Sequence, residues 1–215
     1  MTMTSTTRNL RHVWLATLAA AAALLLLTGG ALILRAYTPS PPSLATTVGE
    51  ADVRSEFSLI DQTGTAVTEA DFAGRWQLVF FGFTNCPDIC PTTLAYMASV
   101  LDLLGPRAEQ VAPLFITVDP ARDTVPVMAE YVSNFHPRLV GLTGSDAQVA
   151  DAAQSFRTWY TRVEEKTAPD GYLMAHAGYI YLMRPDGRFE TVVQERDQPP
   201  EELARRMSTL IDESI

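Results

Sequence analysis

The chain contains two cysteines, and both lie in one short stretch, Phe83-Thr84-Asn85-Cys86-Pro87-Asp88-Ile89-Cys90-Pro91, directly after the apolar run Leu78-Val79-Phe80-Phe81. A dithiol there falls at the C-terminal end of an expected strand and the start of an expected helix, where open α/β sheets place their chemistry. Catalytic dithiols commonly have two residues between the cysteines; the three here permit a disulfide but also a wider bite around an ion. A structural disulfide in an oxidising compartment is the plainer reading. Against it, a bridge over so short a loop gains little chain entropy. Pro91 suits the first helical position and disfavours α geometry for its predecessor, which puts Cys90 at the N-cap, where the helix dipole favours a thiolate. Cys86, followed by Pro87, then belongs to the preceding loop, as half of a redox-active pair.

The elements that must present these thiols alternate between strand and helix. Phe57 to Ile60 and Thr65 to Val67 flank Asp61-Gln62-Thr63-Gly64 as a short N-terminal hairpin. Gln77 to Phe83 is a continuous apolar strand of the kind buried on both faces of a parallel sheet. Leu94, Met97, Leu101 and Leu104 then recur at helical spacing up to Gly105-Pro106. Val111 to Val118 reads as a second buried strand, Thr124 to Asn134 as a helix, Leu139 to Leu142 as a strand and Asp146 to Phe156 as a helix. Tyr179 to Met183 and Arg188 to Val193 flank Arg184-Pro185-Asp186-Gly187, a strong hairpin signal, and an amphipathic helix from about Pro200 closes the chain. Parallel βαβ units followed by an antiparallel hairpin and a terminal helix are the order of a thioredoxin-like α/β fold.

The chain of 215 residues has room for one such domain and an N-terminal addition. Val13 to Leu34 is a run of 22 residues without a charge, close to the ~20 that an α-helix needs to span a bilayer. A cleaved signal peptide is the alternative, but the run exceeds the roughly 7–15 residues of such a peptide's apolar region, and Arg35-Ala36-Tyr37-Thr38-Pro39 offers no good cleavage site. The expected organisation is a cytoplasmic N-terminus (1–12), a transmembrane anchor (13–34), a Pro-rich linker (35–47) and the thioredoxin-like domain (48–215). Arg8 and Arg11 precede the anchor and only Arg35 follows it closely, so the domain should face outward. Residues 50–215 hold 13 basic against 25 acidic side chains, a net charge of −12, which argues against nucleic acid or an anionic lipid surface as partner.

The stretch Gly82-Phe83-Thr84-Asn85-Cys86-Pro87-Asp88-Ile89-Cys90-Pro91 resembles the signature of the Sco (SenC) family, membrane-anchored copper-binding proteins of thioredoxin-like fold involved in assembling the CuA centre of cytochrome c oxidase. Two further blocks agree in order and spacing: Phe115-Ile116-Thr117-Val118-Asp119-Pro120-Ala121-Arg122-Asp123-Thr124 and Tyr181-Leu182-Met183-Arg184-Pro185-Asp186-Gly187-Arg188-Phe189. The resemblance implies a copper site made of Cys86, Cys90 and His176, the last in a loop before the late hairpin. Donor chemistry is compatible: thiolates suit Cu(I), and an imidazole helps Cu(II) remain bound. Zinc would want a fourth ligand or an open water position. By itself, His176 reads as a packed, hydrogen-bonded histidine more readily than as a ligand. His136 reads as a surface residue, His12 flanks the membrane run, and Met174 reads as core filling more than as a thioether ligand. Asp119, Arg122 and Asp123 read either as support around the metal or as turn and helix caps; Asp88 either orients its loop or caps it. Two positions depart from the family pattern: Ala175 where an acidic residue commonly precedes the histidine, and Asn85 where an aromatic residue or histidine often precedes the first cysteine.

The function implied is that of a copper chaperone, anchored in a bacterial inner membrane with its domain on the periplasmic side, delivering copper to the oxidase's copper-binding subunit. Other periplasmic copper chaperones or thiol reductases are further partners of such a protein. The alternatives are a thiol–disulfide reductase that keeps the target's cysteines reduced through Cys86 and Cys90 without metal, and a copper or redox sensor.

Overall fold

A computed structural model describes residues 53–168 and 170–214. The expected N-terminus, anchor and linker lie outside the described residues, among which no helix is long and apolar enough to cross a membrane. The described residues hold nine strands: β1 (Ser58–Asp61), β2 (Ala66–Thr68), β3 (Trp76–Gly82), β4 (Val111–Thr117), β5 (Val140–Thr143), β6 (Tyr160–Glu164), β7 (Tyr172–His176), β8 (Ile180–Met183) and β9 (Phe189–Val193). The α-helices are α1 (Ile89–Leu104), α2 (Val125–Ser133), α3 (Asp146–Ser155) and α4 (Pro200–Glu213). Seven strands form one sheet in the order β2-β1-β5-β4-β3-β8-β9. Its centre is parallel, with β3 beside β4 and β4 beside β5, while β8 runs antiparallel to β3 and carries β9 as an antiparallel edge. The expected N-terminal hairpin is β1–β2, and β1 joins the sheet antiparallel to β5.

Every residue of β3 and β4 is buried, as their predominantly apolar sequences require of strands covered on both faces. Successive side chains of β3 therefore serve different layers. Phe80 meets Phe115 and the imidazole of His176, whereas Phe81 packs edge-on against Phe156 and Tyr181. In α1 the buried positions Cys90, Leu94, Met97, Leu101 and Leu104 recur at three- and four-residue spacing, and the helix packs against α4, whose buried stripe is Leu203, Met207 and Ile211. Cys90, in the first turn of α1, is thus part of the core, while Cys86 lies in the loop between the end of β3 and that helix.

One segment was not legible as structure. Residues 160–176 fold as an antiparallel hairpin, β6 with β7, that forms a two-stranded sheet of its own. His176 is consequently the last residue of a strand, paired with Tyr160, and not a loop residue as expected. The run Arg162-Val163-Glu164-Glu165-Lys166 dilutes the alternation of apolar residues that would have marked these strands.

Candidate metal centre

The thiol loop starts where β3 ends. Phe83 is buried, Thr84 and Asn85 make a turn, and the Cys86 N–H closes it by donating to the Phe83 carbonyl at 3.3 Å. Helix α1 begins at Ile89 with Asp88 as its N-cap residue. This corrects the expectation that Cys90 would be the N-cap: Cys90 is the second residue of the helix and Pro91 the third. Proline is tolerated there because the first N–H groups of a helix have no intrahelical acceptor to lose. The consequence is chemical. The free Cys90 N–H points at the other sulfur, 3.5 Å from Cys86 Sγ, so the helix N-terminus acts on Cys86. Asp88 is exposed and its side chain makes no cap bond; its carbonyl accepts from the Thr92 N–H and hydroxyl.

His176 reaches the thiols from the end of β7. Its Nε2 lies 3.5 Å from Cys90 Sγ, and its Nδ1 lies 3.0 Å from the Ala177 carbonyl oxygen. A carbonyl only accepts, so this contact places the ring proton on Nδ1 and leaves the Nε2 lone pair facing the sulfurs. The ring is set edge-on between Phe80 and Phe83, at 5.9 Å from each centroid. Just beyond it, a Cβ on Gly178 would fall 2.9 Å from Ile89 Cδ1, so the missing side chain lets the exit of the histidine strand lie against the thiol loop. The donor atoms of Cys86, Cys90 and His176 all lie within 4.8 Å of one another. Cys90 is fully buried, whereas Cys86 and His176 are half-buried, so the cluster is open to solvent from the side of Cys86 and the imidazole.

The two sulfurs are unbridged and share their protons unequally. Donation from the Cys90 thiol, opposed by burial and aided by the backbone N–H groups of Asp88 and Cys90, lowers Cys86 to about 4. The Cys86 sulfur and burial push the Cys90 thiol far up. At neutral pH the metal-free pair is one outward thiolate and one inward thiol that donates to it.

Both halves of the cluster are held by one turn, Thr117–Thr124. Asp123, fully buried, accepts from the Thr84 N–H at 3.1 Å, the Thr84 hydroxyl at 2.6 Å and the Thr117 hydroxyl, so it fastens the thiol loop to the end of β4. Asp119 and Arg122 form an ion pair within the same turn, and Asp119 also accepts from the Tyr172 hydroxyl in β7 at 3.0 Å. Of the two readings of Asp119 and Asp123 from sequence, support of the site describes their contacts; the N-cap of α2 is Thr124, acting without a side-chain bond.

Burial pushes the Asp123 carboxyl above the usual carboxylate range, opposed by the bonds from Thr117 and Thr84 and reinforced by Asp119. A carboxyl that binds its proton more tightly when folded adds stability below its unfolded value of about 3.9. It loses that contribution as pH rises through the raised folded value. The melting temperature of the wild type relative to Asp123→Asn is therefore expected to fall between pH 4 and pH 7. A difference between the two proteins that stays constant over that range would show that the buried carboxylate carries no desolvation cost.

The other candidates stand apart. Met174 packs against the hydrophobic core, in keeping with core filling. His136 is not a surface residue as expected: its side chain is 13% exposed, its Nδ1 accepts from the Arg138 N–H, and its Nε2 lies 3.6 Å from Asp102 on α1. It links the end of α2 to α1. His12 lies outside the described residues. Ala175 pairs with Thr161 within the hairpin, and Asn85 is exposed in its turn. The stacking of Tyr172 on Arg122 was not foreseen; the spacing Asp-x-x-Arg after a buried strand was its only trace in the sequence.

Fold and site together define a thioredoxin-like dithiol protein in which a histidine supplies a third donor. The chain belongs to the SCO1/SenC family, whose model matches residues 45–212. It is 49% identical over 144 residues to the mitochondrial protein SCO2 homolog of Bos taurus, covering 66% of this chain and 52% of the relative. It is 41% identical over 165 residues to protein sco1 of Schizosaccharomyces pombe, covering 76% and 62%. The chain thus spans about half to three-fifths of the length of these curated relatives. Among solved structures it is similar to Bradyrhizobium japonicum ScoI with copper bound (41% identity, TM-score 0.68, covering 73% of this chain and 98% of that one). It is also similar to yeast Sco1 with copper bound (34% identity, TM-score 0.68, covering 74% and 88%).

Proposed function

We propose that this chain is a membrane-anchored copper carrier in which Cys86, Cys90 and His176 hold one copper ion and surrender it to the copper-binding subunit of a cytochrome c oxidase. The observation that carries the reading is the convergence of two sulfurs and one imidazole nitrogen within 4.8 Å. The donor set fits the ion: two thiolates satisfy Cu(I) at low coordination number, and the nitrogen extends the site to Cu(II). Among the described residues no further histidine, cysteine or carboxylate joins the cluster, which leaves zinc without its usual fourth protein ligand. Family membership, the copper-bound relatives and the uncharged run at 13–34 support the same reading.

Transfer proceeds by ligand exchange. Cys86 is half-buried and His176 is half-buried, whereas Cys90 is enclosed, so an incoming thiolate displaces the outer two donors first and Cys90 last. The Ala177 carbonyl engages Nδ1, so Nε2 is the ring nitrogen that His176 presents toward the sulfurs.

A second reading, the thiol–disulfide reductase, is favoured by the split protonation of the pair. A half-buried thiolate beside a fully buried, protonated partner is the arrangement of an attacking and a resolving cysteine. Anaerobic Cu(I) titration of the reduced chain against a competing chelator, with His176→Ala alongside, separates the two. The carrier is expected to hold one copper per chain and to bind more weakly in the variant. Failure to compete for copper, or binding indifferent to His176, would favour the reductase.

A further inference from the structure

Among the described residues the hairpin that ends in His176 belongs to no larger sheet. Two strands without a third are marginal in water. Where the imidazole stands relative to the thiols is therefore decided by the side chains that fasten the hairpin to the body. Among the described residues the polar fastenings converge on Asp119 and Arg122. The Arg122 guanidinium lies on the Tyr172 ring, its central carbon 3.8 Å from the centroid. Its Nη1 donates to the Tyr172 carbonyl at 3.3 Å and reaches Asp170 at 3.5 Å, and its Nε donates to Asp119. The free oxygen of Asp119 accepts from the Tyr172 hydroxyl, which closes a ring of contacts across the two segments. A second guanidinium, that of Arg162, lies 3.7 Å from the same centroid; two groups so close to one ring must occupy opposite faces. Arg122 also lies 5.8 Å from the Phe83 ring, against which His176 packs edge-on.

We propose that Asp119, Arg122 and Tyr172 form a clamp that positions His176 against the dithiol and so sets how firmly the third donor closes on copper. The proposal rests on the reading of the site as a copper carrier. The thiolates supply most of the hold on Cu(I), to which the imidazole adds a third donor, whereas retention of Cu(II) depends on the nitrogen far more; the clamp therefore governs chiefly the oxidised form and the ease of its release. The Arg122 Nη2 has no acceptor among the described residues, so the clamp's hydrogen bonding is incomplete. The histidine arm can then let go while the body stays folded. The thiol loop cannot do the same, since Thr84 is tied to fully buried Asp123 in the same turn.

Amide hydrogen exchange of the metal-free chain, with Cu(II) and Cu(I) affinities, tests this on wild type, Arg122→Gln, Arg122→Lys, Tyr172→Phe and His176→Ala. Loss of a charge-assisted contact of this kind is expected to speed exchange in β6 and β7 and to weaken Cu(II) by about tenfold each in Arg122→Gln, with exchange in β3 and β4 unchanged. Cu(I) affinity should change by less than about threefold, because its thiolate ligands are untouched. Arg122→Lys should recover part of the effect, keeping the charge but losing the planar fork. Unaltered hairpin exchange and unaltered Cu(II) binding in Arg122→Gln, while His176→Ala weakens Cu(II), would overturn the clamp and leave the carrier intact. Indifference of both copper forms to His176→Ala would overturn the carrier, and the exchange data would still decide whether the clamp holds the hairpin. Where Arg122→Gln loosens the whole body, Tyr172→Phe, which removes one oxygen, decides in its place: hairpin exchange equal to wild type overturns the clamp.

Discussion

Cys90→Ser is expected to lower Cu(I) affinity on the order of a thousandfold or more, because a hydroxyl is a hard donor that stays protonated at neutral pH where a thiolate is the natural partner of the soft ion. Cys86→Ser should cost a similar amount for the same reason. The two variants differ in what else they do. Cys86 is half-buried and its serine has solvent within reach, so the melting temperature should hardly move. Cys90 is fully enclosed beside Gly82, Phe115 and His176, and a hydroxyl there trades a well-packed sulfur for a smaller polar group. A stability loss of about 1–2 kcal/mol is reasonable for such an exchange. Chelator competition and thermal melts of both variants check this together. Retention of near wild-type affinity in either variant would mean that copper is held elsewhere on the chain.

The dithiol was legible from the sequence because its signal is local. A buried apolar strand, a short turn and a helical repeat follow one another without interruption from Leu78 to Leu104, and they place Cys86 and Cys90 with no long-range contact to guess. The one local error, the N-cap, came from reading Pro91 as the first helical residue when any position in the first turn would accommodate it. The histidine was legible only through the family resemblance. Its strand is exposed along much of its partner, Thr161 to Glu164, and carries charge where a sheet-forming pattern would alternate. Its nearness to Cys90 joins residues 86 apart in the chain, a proximity that no periodicity announces. Arg122 was quoted as part of a motif, but its stacking on Tyr172 spans 50 residues and depends on a hairpin that was itself invisible. What failed to show in the sequence was the apparatus that brings a distant element to a local one.

Gly82 also belonged to the motif, and its role is steric. It closes β3 immediately before the thiol loop, and its backbone is that of an ordinary strand residue, so glycine is not there for conformational freedom. A Cβ at this position would fall 2.8 Å from Cys90 Sγ, 2.8 Å from Phe115 Cε2 and 3.1 Å from Phe80 Cε1. None of these neighbours can yield cheaply. Phe80 and Phe115 are fully buried and stacked on one another, and the sulfur is fixed to the first turn of α1. Gly82→Ala is therefore expected to destabilise the domain by about 1–3 kcal/mol through overpacking, which for a chain of this size lowers the melting temperature by roughly 2–4 °C per kcal/mol. The atom best able to move is the sulfur, because it sits at the start of a helix while the rings are enclosed by the sheet. Its displacement spoils the distance to His176 Nε2, now 3.5 Å, so the variant should also bind copper at least about tenfold more weakly, a loss of roughly 1.4 kcal/mol. Thermal melts at saturating chelator separate the packing cost from the copper cost, since the first persists without metal. Unchanged melting together with unchanged affinity would show that the strand end can shift to accept a methyl group, and the close approach of β3 to Cys90 would then have no part in shaping the site.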